Sequence, residues 1–177
     1  MIRTDYNAYN MTIARLIKGF FTKHTFYAVL LYRMGNFCVR HHIKFLPDFL
    51  KGINLRIFAC DISSNAKIGL GFRMHHTTGI VIGCDCILGD NCEVFQNVTL
   101  GENRSKTIAG QRYMPKIGNN VSIYAGACVI GPIEIGNNVQ IGANSVVTKN
   151  IESNCIAAGI PAKIIKRINQ DENCISD

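Results

Sequence analysis

From Ile62 to Glu152 the hydrophobic positions of the chain recur every six residues. Ile62 and Ile68 set the phase, a two-residue slip near Val81 interrupts it, and Ile82, Leu88, Val94 and Leu100 restore it. The pattern breaks over Gly101 to Lys116 and resumes at Ile117, Ile123, Val129, Ile135, Ile141 and Val147. Four positions after each aliphatic stands a small or branched residue, among them Cys86, Cys92, Val98, Val121, Ala127, Ile133, Val139 and Ser145. Such a period fits neither an amphipathic helix nor the two-sided alternation of a strand. It predicts a β-solenoid in which each hexad is one short strand and a turn. The aliphatic points inward and Gly or Asn takes the turn, as at Asn119-Asn120 and Asn137-Asn138.

Ahead of the repeat the spacing turns helical. Ile13, Leu16, Ile17, Phe20 and Phe21 share one face, interleaved with Arg15, Lys18 and Lys23. A second pattern covers Phe26 to Cys38 with Val29, Leu30, Arg33, Met34 and Phe37, and Pro47 marks a break before a third short helix over Phe49 to Phe58. The expected organisation is a basic helical segment over residues 1–60, a solenoid over 61–167 with an excursion loop at 101–116, and a polar tail at 168–177.

Composition changes this picture in two places. The net charge of +7 lies entirely in the leading segment, whose nine Lys/Arg face two acids, while the remainder carries ten of each. That segment is read as packing on the first coil, with peripheral contact to an anionic membrane as the alternative. No motif accompanies the charge to suggest nucleic acid. The eight cysteines do not form a disulfide framework, because 177 residues supply a core without one. Cys86 and Cys92 fall on interior positions, and Cys84-x-Cys86 with Cys92 lacks the paired spacing of a zinc site. No metal and a reducing, cytoplasmic setting are therefore expected. Met1 to Asp5 leads into no signal-like apolar stretch, and the run Phe26 to Leu31 is too short to span a bilayer.

The solenoid holds two histidines, His75 and His76, within Arg73-Met74-His75-His76-Thr77-Thr78-Gly79. An imidazole can take the proton of an attacking hydroxyl. Two adjacent histidines make neither a three-ligand zinc site nor the set a γ-class carbonic anhydrase needs. From spacing alone, surface or packing histidines are the favoured reading.

Six strings carry a resemblance: Asp61-Ile62; Lys67-Ile68-Gly69-x-Gly71; His76-x-Thr78-Gly79-Ile80-Val81-Ile82-Gly83; Gln96-x-Val98-Thr99-Leu100-Gly101; Pro115-Lys116-Ile117; and Ala158-Gly159-Ile160-Pro161-Ala162-Lys163. Over about residues 60 to 167 the chain resembles serine O-acetyltransferases, and equally their relatives from bacterial capsule and surface-polysaccharide gene clusters. The resemblance implies a left-handed parallel β-helix, a homotrimer, and acetyl-CoA bound between neighbouring subunits. It makes His76 the general base and Asp61 the carboxylate that holds its tautomer. It places Gly101, Ala125 and Ala143 along the acetyl-CoA groove and Lys163 near the phosphate end. Read without it, Asp61 is equally a turn cap, the alanines are repeat filling and Lys163 is a solvated lysine.

The chain departs from the family pattern at several positions. His75 stands where serine acetyltransferases carry Asp. Gln111-Arg112-Tyr113-Met114 precedes Pro115 where they carry Arg-His, and the chain ends Cys174-Ile175-Ser176-Asp177 without their terminal isoleucine. An amino-acid ammonium thus lacks its expected anionic partner. The expectation is an acceptor without a zwitterion, namely a sugar hydroxyl of a surface polysaccharide or its precursor. His75, Arg112 and Tyr113 would contact it, with Arg104 and Lys106 in the same loop. Serine, as in cysteine biosynthesis, is the alternative, and a non-catalytic trimeric binding solenoid is the reading from another class.

Overall fold

The computed structural model describes residues 24–103 and 113–168. The predicted helix around Ile13 to Phe21, with Arg104, Lys106 and Arg112, lies outside them. Two helices, α1 (His24–Arg40) and α2 (Leu46–Phe58), lead into the solenoid. Pro47 sits in the first turn of α2, where its missing N–H costs nothing, so the helix begins earlier than the break at proline suggested. No described helix is long and apolar enough to cross a membrane.

Among the described residues fifteen short strands follow, and their register shows a coil. One sheet runs β1 (Asp61–Ile62), β4 (Val81–Ile82), β7 (Thr99–Gly101), β10 (Cys128–Ile130), β13 (Val146–Val147). A second contains β2 (Lys67–Ile68), β5 (Ile87–Leu88), β8 (Lys116–Ile117) and β11 (Glu134–Ile135). The third contains β3 (Arg73–Met74), β6 (Glu93–Val94), β9 (Ser122–Ile123), β12 (Gln140–Ile141), β14 (Cys155–Gly159) and β15 (Ala162–Arg167). Every strand pairs in parallel with its counterpart one coil away, except β15, which turns back antiparallel on β14. The expected solenoid of hexapeptide repeats with a preceding helical segment is the observed architecture.

The three sheets are the sides of a prism, and the hexad aliphatics fill it. Ile62, Ile82, Leu100, Ile123, Val129 and Ile141 are buried, as are the small residues Ala66, Cys86, Cys92, Val121 and Ala127. Three ridges join the sides. On the ridge between the second and third sheets the coils close in. A Cβ added at Gly89 would lie 2.7 Å from the Gly118 carbonyl oxygen, so only glycine fits. Beside it Asn91, Asn120, Asn138 and Asn154 all hold positive φ, and their amides bond in a column from coil to coil at 3.3, 3.0 and 2.8 Å.

Coil length is not constant, and the irregularities mark the other two ridges. Equivalent residues lie 18 apart at Asn119 and Asn137, 20 apart at Leu70 and Asp90, and 29 apart at Asp90 and Asn119. The longest step contains the excursion after β7, on the ridge between the first and second sheets. The two extra residues of the first coil fall between β3 and β4, at the histidine corner.

Helix α1 closes the start of the prism with polar side chains. The buried Tyr32 hydroxyl donates to Ala66 O at 2.7 Å and accepts from Ile68 N at 3.2 Å. Arg33 donates to the carbonyls of Ile68 and Gly69, and Asn36 to those of Ser64 and Ala66. An open sheet edge presents unpaired backbone groups that must find partners. This demand narrows the apolar face expected for α1. Val29 is buried together with Arg33 and Asn36, while Met34 and Phe37 are 44% and 56% exposed. Asn54 of α2 ties the two helices by donating to Ala28 O.

Candidate active site

The third ridge, between the third and first sheets, carries His75, His76, Ala125 and Ala143 of the residues singled out from the sequence. Its successive corners are His75 to Gly79, Phe95 to Asn97, Tyr124 to Gly126 and Gly142 to Asn144, as the backbone bonds Asn97 N to Thr78 O, Gly126 N to Gln96 O and Asn144 N to Ala125 O show. The two additional residues of the first coil widen the first corner. Thr77 is buried within it and Ile80 N bonds to Thr77 O, leaving His75 and His76 exposed. Ala125 and Ala143 follow His76 down the same ridge, where small side chains leave the backbone accessible. Lys163 pairs with Ala158 on the closing hairpin, and a Cβ at Gly142 would lie 2.8 Å from Ala158 Cβ.

Asp61 opens the first sheet, its N–H bonded to Ile80 O at the end of the histidine corner. Its carboxylate is held by Lys51 of α2 at 2.9 Å. It does not hydrogen-bond the His76 ring, which has no side-chain partner among the described residues.

His75 is held more firmly. Its Nε2 lies 2.9 Å from Glu93 Oε2, and its ring stacks on Phe95 with centroids 4.1 Å apart and planes 8° from parallel. Phe95 stacks in turn on Tyr124 at 5.0 Å. Glu93 also binds the Arg73 guanidinium. Burial acts to raise the Glu93 pKa, but the hydrogen bonds from His75 and Arg73 and the charge of Arg73 outweigh it, and the carboxyl is held below its ordinary value. Sequence reasoning missed Lys51, Glu93, Phe95 and Tyr124. The last three were accessible through the coil register, which places Arg73 against Glu93.

Gly101 and Tyr113 lie elsewhere. Gly101 ends β7 on the ridge with the excursion, where its carbonyl accepts from Gly131 N. The Tyr113 hydroxyl donates to Asp85 Oδ2 at 3.1 Å on that same ridge, which holds its pKa above the ordinary phenol value. Next to it the buried Met114 lies over Gly83, where an added Cβ would meet Met114 Cε at 2.7 Å. Within one chain, therefore, Tyr113 and His76 occupy different ridges.

Residues 114–149 match the family model described as bacterial transferase hexapeptide, six repeats. Among curated proteins, the chain is 37% identical to the serine acetyltransferase of Synechococcus elongatus, over 80% of this chain and 57% of that protein. It is 40% identical to that of Buchnera aphidicola, over 84% of this chain and 56% of that protein. The chain thus spans somewhat more than half the length of these relatives. It superimposes on the crystal structure of serine acetyltransferase from Brucella abortus with a TM-score of 0.83 and 33% identity, covering 95% of this chain and 68% of that one.

These relatives overturn the expected surface-polysaccharide acetyltransferase and the assignment to the capsule branch. At the corner that carries His75 in place of an aspartate, the next coil brings the Glu93 carboxylate to 2.9 Å from the His75 ring, with Arg73 as its counter-ion. By its repeat, its architecture and its identity to these proteins, the chain belongs to the serine acetyltransferase family of hexapeptide-repeat transferases.

Proposed function

We propose that the protein transfers acetyl from acetyl-CoA to the hydroxyl of L-serine. The observation that carries this reading is the shared ridge, with His76 exposed at its head and the small corners of Ala125 and Ala143 leading from it toward Lys163. His76 accepts the serine hydroxyl proton as the oxygen attacks the thioester carbonyl. The tetrahedral adduct then collapses, the C–S bond breaks, and CoA leaves with the proton returned to its sulfur. No acyl-enzyme is needed. Asp61, bound to Lys51 in this structure, is the carboxylate that turns to orient the imidazole in this scheme. A Brucella relative with a TM-score of 0.82 was solved in complex with coenzyme A, which supports acetyl-CoA as the donor here.

The prism is a left-handed β-helix in this reading, and three copies form the working unit. Placement of Tyr113 and Gly101 on a different ridge from His76 supports a ring that sets one copy's excursion against the next copy's histidines. Arg112 and Tyr113 then belong to the acceptor side, and Gly101, Ala125, Ala143 and Lys163 to the donor side.

CoA release from acetyl-CoA in the presence of L-serine tests the activity. Wild type is expected to turn over, and His76→Ala to lose about two to four orders of magnitude in turnover while still binding acetyl-CoA. Absence of serine-dependent CoA release overturns the reading. Analytical ultracentrifugation on the same preparation is expected to give about 59 kDa, three copies of the 19.6 kDa chain.

A further inference from the structure

Glu93 stands one coil from His75 and takes Arg73 on one oxygen and His75 Nε2 on the other. An ionised carboxylate only accepts hydrogen bonds, so Nε2 carries a proton and donates it to Glu93. In the neutral imidazole the second nitrogen, Nδ1, then keeps its lone pair and is itself an acceptor. The stack on Phe95 fixes the plane of the ring. Nδ1 meets no donor among the described residues, and the His75 side chain is 35% exposed. The corner beside His76 therefore presents one hydrogen-bond acceptor, Nδ1, with nothing donating to it among the described residues. Because Arg73 balances the charge of Glu93, what this corner selects is hydrogen-bond polarity. It fits a ligand group that brings N–H donors, as an ammonium does.

We propose that Glu93 is a positioning residue for the acceptor substrate: by fixing the His75 tautomer it makes Nδ1 the hydrogen-bond acceptor for the substrate ammonium. This rests on serine as the acceptor, and it assigns a role to a side chain that neither the repeat nor the proposed proton transfer uses.

Steady-state kinetics of the full chain with L-serine as the varied substrate test it. Glu93→Gln places an amide against Nε2, and an amide can donate, which allows the opposite tautomer. KM for L-serine is expected to rise about tenfold while KM for acetyl-CoA stays where it was. The double variant His75→Asp, Glu93→Gln puts a carboxylate directly at the acceptor position and is expected to return KM to within about threefold of wild type. A structural role for Glu93 alone predicts a double variant as impaired as Glu93→Gln, and that result overturns the proposal. So does a Glu93→Gln enzyme with unchanged KM for L-serine, which would leave serine acetylation itself standing. A wild type inert toward L-serine removes both.

Discussion

The thiols of Cys60 and Cys86 are pushed up to about 12 and that of Cys92 to about 11, with burial the largest cause in each. All three line the interior. A shift from 9.0 to about 12 leaves about a thousandfold less thiolate at neutral pH. In the native protein at pH 7 these three cysteines are therefore expected to resist alkylation and to react fully in urea. Mass spectrometry of the labelled peptides checks this, and native labelling of any of them would contradict the packing described. Cys86 and Cys92 were legible as interior residues because the hexad fixes which positions point inward. The pairing of Asp61 with Lys51 was not, since it depends on how α2 docks and no periodicity carries that. The bond between His75 and Glu93 was half legible. The register sets Glu93 opposite Arg73, 20 residues earlier, and His75 reaches it diagonally from two positions further on, so the two-residue slip had to be placed at the right corner first.

Among the elements, the asparagine ridge offers a separable test. Asn138 holds φ 55°, accepts from Asn120 and donates to Asn154. Asn138→Ala removes both bonds and also places a methyl side chain in left-handed backbone, whereas Asn138→Gly removes only the bonds. Alanine is expected to cost about 1 kcal/mol more than glycine, because that backbone strain is present in one variant and absent in the other. Urea unfolding midpoints of the two variants measure the difference, and equal midpoints would mean that the ladder bonds alone matter. The turn asparagines were readable from sequence as residues that tolerate this conformation. Their side-chain column was not, because it appears only when coils 18 residues apart are stacked. Helix α1 was half legible for a related reason. Val29 and Arg33 of its pattern are buried as expected, but Met34 and Phe37 turn outward because the surface α1 meets also includes a sheet edge asking for donors, which Arg33 and Asn36 supply.

At the scale of the whole molecule, the three ridges divide the work. One binds coil to coil through glycine and asparagine, one carries the excursion, and one carries the histidines. The repeat made the prism readable, and its two irregularities pointed to the ridges that matter. The acceptor was misread because a single position, His75, was judged without the coil beneath it. The two ends of the prism have a further consequence. A parallel coil is a template for another copy of itself, so its growth is stopped by α1 at one end and by the reversed strand β15 at the other. A chain lacking residues 1–45 loses the first stop. With β15 still closing the other end, it is expected to pair through the opened end, doubling the mass of the assembly measured by light scattering. A truncated chain that assembles no further than the full one would show that the helices serve the prism in some other way. The bonds from Tyr32, Arg33 and Asn36 are, in this sense, what keeps one prism from being continued by another.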